Sequence, residues 1–111
     1  LRILEKQAGL DEYTDSAGNT LLHYAAWNGH AKFCSYLLSR GQMVDALNRS
    51  FDTPLGHAAL HGHAEVCTLL LKSGADPSHV RARGQSITDI ARARGHMNIV
   101  RLLQEYIEKE D

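Results

Sequence analysis

The sequence predicts an all-α solenoid, in which helix–turn–helix units stack in one direction and finger-like loops join them. Three observations predict it. Thr20-Leu21-Leu22-His23-Tyr24-Ala25-Ala26 is followed 33 residues later by Thr53-Pro54-Leu55-Gly56-His57-Ala58-Ala59, and after the same step again by Ser86-Ile87-Thr88-Asp89-Ile90-Ala91. The step also links Gly29-His30, Gly62-His63 and Gly95-His96. It links Gly41 to Gly74 and Cys34 to Cys67. A period this strict marks one small unit repeated, each unit burying its apolar face against its neighbours.

The elements follow in order. Residues 1–19 read as an N-terminal half repeat. Leu1 is in phase with Cys67, so Leu1 to Gln7 corresponds to a second helix whose first helix is absent, with Leu1, Ile3 and Leu4 at helical spacing. A half unit leaves apolar surface uncovered, so the expectation is another helix upstream or self-association through this end. In the repeat at 20–52, Phe33, Cys34, Leu37 and Leu38 form the expected core. In the repeat at 53–85, Thr53 is the N-cap and Pro54 the first helical residue, where a missing N–H costs nothing. Ala58-Ala59 lets neighbouring helices approach closely, and Gly62 ends the helix in a left-handed conformation. A second helix starts near His63-Ala64 and buries Val66, Cys67, Leu70 and Leu71. Gly74 closes it, and Ser78 to Gln85 forms an extended finger. Residues 86–111 read as a C-terminal capping repeat with Ile90, Ile99, Leu102 and Leu103 inside. The acidic end, Glu105 to Asp111, is expected to fray.

The motifs T-P-L-H-x-A-A, G-H and L-L-L-x-x-G-A-D, at this step, resemble the ankyrin repeat. Leu69-Leu70-Leu71-Lys72-Ser73-Gly74-Ala75-Asp76 carries the last of them in full. The resemblance covers essentially the whole chain, 1–111, as a single domain. It implies a non-catalytic protein–protein interaction module, the recognition or scaffold part of a larger intracellular protein. It also implies that His23, His30, His63 and His96 hydrogen-bond loops and cap helices. The sequence departs from the family pattern at Thr88 and Arg92, as suits a terminal repeat with one face in water. It departs again at Phe51, in phase with Gly18 and Gly84, where the family has Gly. Either Phe51 keeps the left-handed conformation at about 1–3 kcal/mol of strain, or the finger is remodelled.

Composition excludes several classes. The chain has 111 residues and a formal net charge of −1, which gives no global drive toward nucleic acid or anionic membrane. No apolar run approaches the roughly 18–20 residues that span a bilayer. The opening Leu1-Arg2-Ile3-Leu4-Glu5-Lys6 is amphipathic, unlike a signal peptide, and the absence of an initiator Met reads as a piece of something longer. Equivalent cysteines in stacked layers stand roughly 8–10 Å apart, beyond the ~7 Å Cα limit of a disulfide. Cys34 and Cys67 are therefore expected as buried thiols, which suggests a reducing compartment, cytoplasmic or nuclear. His57 and His61 share a helix face with His63 close by, but the set lacks further ligands for zinc. No nucleophile–base order, phosphate loop or carboxylate pair is present, so no catalytic residue, metal, cofactor or small-molecule substrate is expected.

What remains is a surface. In ankyrin-like stacks, the fingers and the exposed end of each first helix line a concave face. Carried over by position, these are Arg49, Asp52, Arg83 and Gln85 from the fingers, and Trp27, Asn28, Leu60, His61 and Arg94 from the helices. Trp27 is the chain's only tryptophan. It is expected as a solvent-facing binding anchor beside Leu60, unless it folds back over Tyr24 or a neighbouring finger. Arg81, Arg83, Arg92, Arg94 and Arg101 share their segment with one acid, Asp89. Guanidinium groups grip carboxylates or phosphates in bidentate fashion, so a partner protein with an acidic or phosphorylated segment is expected. The alternative is nucleic acid or anionic phospholipid on the same arginines, a weak signal without interleaved aromatics.

Overall fold

The computed structural model describes residues 13–109. Among these, six helices alternate in two rows. The inner row is α1 (Leu21–Trp27), α3 (Pro54–Leu60) and α5 (Ile87–Ala93). The outer row is α2 (Ala31–Ser39), α4 (Ala64–Lys72) and α6 (Met97–Lys109). The described residues extend 45 × 26 × 25 Å. The helices fall within the units at 20–52, 53–85 and 86–111. The N-terminal half repeat and the self-association expected of it lie outside the described residues, except for the finger that ends at Asn19.

Each inner helix starts at a hydroxyl. Thr20, Thr53 and Ser86 lie in extended backbone and accept hydrogen bonds from the N–H groups of His23, Gly56 and Asp89. These satisfy donors that the first helical turn leaves without partners. Inside, Ala25, Ala26, Ala58, Ala59 and Ala91 are buried to within 2%. Small side chains bring the inner helices closer than the outer ones, where Leu37, Leu70 and Leu103 intervene. The difference in spacing makes the inner side concave.

The inner helices end at Gly29, Gly62 and Gly95 with positive φ (74°, 76° and 79°). Two of these also have no room for a side chain. A Cβ on Gly29 would lie 2.6 Å from the His63 ring, and one on Gly62 would lie 2.7 Å from the His96 ring. The histidine of each layer thus covers the glycine of the layer before, and His63 Nε2 also donates to the Trp27 carbonyl at 2.9 Å.

The fingers share one geometry. Residue pairs 15/19, 48/52 and 81/85 close three-residue loops, with a tighter bond from Gly18, Phe51 and Gly84 back to the first residue. Such a loop is a turn followed by one left-handed residue. Phe51 keeps that conformation at φ 60°, matching Gly18 and Gly84 at 81°. The finger is not remodelled, and the ring is 53% exposed.

Two expectations need correction. Phe33 is exposed, with its ring stacked on Tyr36, instead of lying in the core. Its in-phase counterpart Ile99 is fully buried in the last layer, so this position looks toward the preceding layer. The layer before that of Phe33 lies outside the described residues. The acidic end is helical through Lys109, with Tyr106 packed on the core and the Lys109 ammonium over its ring.

Phe51→Gly should stabilise the fold by about 1 kcal/mol by relieving left-handed strain. Gly62→Ala should destabilise it by more than about 1 kcal/mol, because φ and the His96 ring both oppose the methyl group. Urea denaturation of the two variants checks both signs.

Candidate functional site

The concave side is built from the inner helices and the fingers, and hydrogen bonds fix how these meet. The Thr20 N–H donates to His23 Nδ1 at 3.0 Å. Nδ1 is therefore the acceptor, and Nε2–H donates to the Asp52 carbonyl at 2.8 Å. A helix histidine thus pins the next finger in place. The following layer has Gly56 at this position and cannot repeat the bond. There the third finger reaches back instead. His79 Nε2 donates to the Phe51 carbonyl at 2.6 Å. Arg81 Nη2 donates to Asp52 Oδ2 at 3.2 Å, and its Nε pairs with Oδ1.

Asp52 was expected on the partner-facing surface. The structure turns it inward, 7% exposed, with both carboxylate oxygens held by Arg81. The other expected residues lie as follows. Trp27 is 44% exposed. It does not fold back over Tyr24; it leans across the next layer, edge-on to His57 at 5.0 Å and tilted over His61 at 4.1 Å. Leu60 is half-buried and shares with Trp27 a cavity of about 140 Å³, also lined by Gly56, His57, Arg81 and Ile90. A second cavity of about 270 Å³ lies on the other side of Trp27, among Asn19, His23, Tyr24, Asn28 and His57. Asn28 is exposed and donates to the Tyr24 carbonyl at 2.9 Å. Arg49, His61, Arg83, Gln85 and Arg94 are exposed.

Sequence reasoning missed His57 as part of this floor. It stands in phase with the exposed Tyr24, yet Trp27 and Asp52 cover it to 7% exposure. Burial, and then the nearby His23, push its pKa down to about 4, against the opposing pull of Asp52. Burial also pushes His23 down. His61 is lowered by partial burial and then by His63, Arg94 and His96. At neutral pH these histidine rings are therefore uncharged, and the charge beside them is the paired Arg81 and Asp52.

The thiols and arginines also find their places. Cys34 and Cys67 are free and fully buried, and burial pushes them up to about 11 and about 12. Neither is a nucleophile at neutral pH. Among the five clustered arginines, Arg81 pairs with Asp52, and Arg92 pairs with Asp89 at 3.6 Å. Among the described residues, Arg49, Arg83, Arg94 and Arg101 have no carboxylate partner. No group of three or more His, Cys, Asp or Glu among the described residues is placed to hold a metal ion. No described helix is long and apolar enough to cross a membrane.

Comparison with known proteins gives two matches. A family model described as ankyrin repeats (3 copies) matches residues 1–81. Ankyrin repeats are generally non-catalytic protein–protein interaction modules. Over 32 residues, 29% of this chain, the sequence is 56% identical to ankyrin repeat domain-containing protein 39 of Homo sapiens. The match spans 18% of that relative's length. Helices α5 and α6 lie beyond residue 81 and continue the same geometry.

Two pH effects follow. The folded pKa of His57 lies below its unfolded value of 6.5, so the unfolded chain binds more protons between about pH 6.5 and 4. Stability is present above that window and is lost as pH falls through it, by about 2 kcal/mol between pH 7 and pH 5. Urea midpoints at the two pH values should show this slope, and His57→Gln should flatten it. Trp27 emission should also fall on acidification with a midpoint below 6.5, as the His61 ring against it becomes charged. His61→Gln should abolish that step in a fluorescence titration.

Proposed function

We propose that this chain, which belongs to the ankyrin repeat family, recognises a partner protein on its concave side, with Trp27 and Leu60 as the apolar anchor. The observation that carries this reading is the setting of Trp27. Its indole is half-exposed between two cavities on the concave side, over a His57 ring that is neutral at physiological pH and an Asp52 carboxylate already paired with Arg81. An aromatic side chain already held in place loses little freedom on binding, and such residues dominate interface energetics. His61 extends the platform, while Asn28, Arg49, Arg83, Gln85 and Arg94 supply a polar rim. The role is recognition or scaffolding within an intracellular protein.

Ion pairing weakens the alternative. With Arg81 and Arg92 paired to carboxylates, three arginines of the cluster keep unpaired charge among the described residues. Proteins held by nucleic-acid phosphates commonly make about 6–10 such contacts.

Selection of ligands from a displayed peptide library tests the reading. Selected ligands should lose about 2–4 kcal/mol of affinity on Trp27→Ala, while the stability of the fold changes by about 1 kcal/mol or less. Ligands that bind wild type and variant equally would refute it.

A further inference from the structure

The three fingers are not joined alike. Between the first and second, the Arg49 N–H donates to the Ala17 carbonyl at 2.9 Å, and Asn48 Nδ2 donates to Asn19 Oδ1 at 2.8 Å. The equivalent tip bond, from the Ala82 N–H to the Ser50 carbonyl, is absent between the second and third. These two fingers are tied at their bases, by Arg81 to Asp52 and His79 to Phe51, and their tips stand apart. A cleft of about 490 Å³ lies between them, lined by Arg49, Ser50, Arg81, Ala82, Arg83 and Gln85.

The polar side chains of this cleft mainly offer donors. Arg49 and Arg83 stand on opposite fingers without a carboxylate partner. Asp52 is buried and committed to Arg81, so it does not neutralise them. Gln85 Oε1 accepts from Arg81 Nη1 at 3.5 Å, leaving Gln85 Nε2 as a further donor. Arg81 also lines the cavity beside Trp27, so the cleft and the apolar anchor are neighbours.

We propose that this cleft holds an acidic, Asp- or Glu-bearing stretch of the partner polypeptide, adjoining the residue that occupies the Trp27 anchor. The inference rests on the groove-binding reading above and specifies the partner's chemistry. Charge complementarity selects an anionic occupant. One unpaired guanidinium per finger suits successive single charges along an extended chain, each gripped in bidentate fashion. Two such groups are too few for a nucleic-acid backbone, whose binding rests on many phosphate contacts.

The test uses a labelled glutamate-rich octapeptide without apolar residues. Phosphoserine-bearing and lysine-rich counterparts, a single-stranded oligonucleotide and phosphatidylserine vesicles serve as comparisons. Binding is followed by amide chemical shifts of the isotope-labelled chain. The glutamate peptide should shift Arg49, Ser50 and Ala82 to Gln85 saturably, and weaken as salt rises. Arg49→Gln/Arg83→Gln should reduce its affinity about ten-fold or more with unchanged urea stability, since both side chains are exposed. The lysine peptide should not bind. Shifts elsewhere, indifference to the double variant, or tighter binding of phosphopeptide, oligonucleotide or vesicles would overturn the proposal. The two readings fail separately. Library ligands that need Trp27, beside a glutamate peptide that leaves the fingers unshifted, refute this inference alone. A glutamate peptide seated in the cleft, beside library ligands indifferent to Trp27, refutes the anchor alone.

Discussion

Close approach of the inner helices is the constraint on which the rest depends. The alanines on α1, α3 and α5 let three short helices pack almost backbone to backbone, while leucines hold the outer row further apart. No seven-residue helix is stable alone. Each exists because a neighbouring layer covers it, and the alanines decide on which side the stack is concave. Trp27 reaches the following layer only because the spacing is small.

The same closeness explains why the histidines of the floor are uncharged. A histidine beneath an indole and beside other histidines loses hydration with little to replace it, so its neutral form is favoured. His57 feels this most: burial and the nearby His23 outweigh the opposing pull of the Asp52 carboxylate 3.8 Å away. The fingers divide their labour in turn. The second is pinned by a helix histidine and the third by its own side chains, and the difference follows from Gly56 standing where a histidine would be.

Much of this was legible in the sequence, because a linear repeat turns phase into position. The helices, caps and buried cysteines follow from residues that recur at one step. Phase alone does not say which neighbour a side chain chooses. Asp52 falls at a groove position by register, yet it is taken by Arg81, 29 residues on. The same separation recurs in Asn48 to Asn19 and His23 to Asp52. These three side-chain contacts between layers fall four residues short of the repeat, an offset that identical-phase comparison overlooks. Phe33 shows the other limit: a residue in a core register takes its burial from a neighbouring layer, and phase within its own unit does not supply that layer. His57 and His61 share a helix face, but only His57 lies under both Trp27 and Asp52.

The stacking of His63 on Gly29 and of His96 on Gly62 has a consequence for how such a chain changes length. Each contact joins adjacent layers through a residue with no side chain, so the joint is nearly the same wherever it occurs. A whole unit exchanged or duplicated between these joints brings its own glycine and its own ring, and both joints re-form. A single residue gained or lost between a unit's ring and its glycine moves one of them off its partner and spoils the joint with the adjacent layer. Length is therefore variable in whole units and rigid within them, and the finger tips, outside the joint, are where sequence is free to diversify.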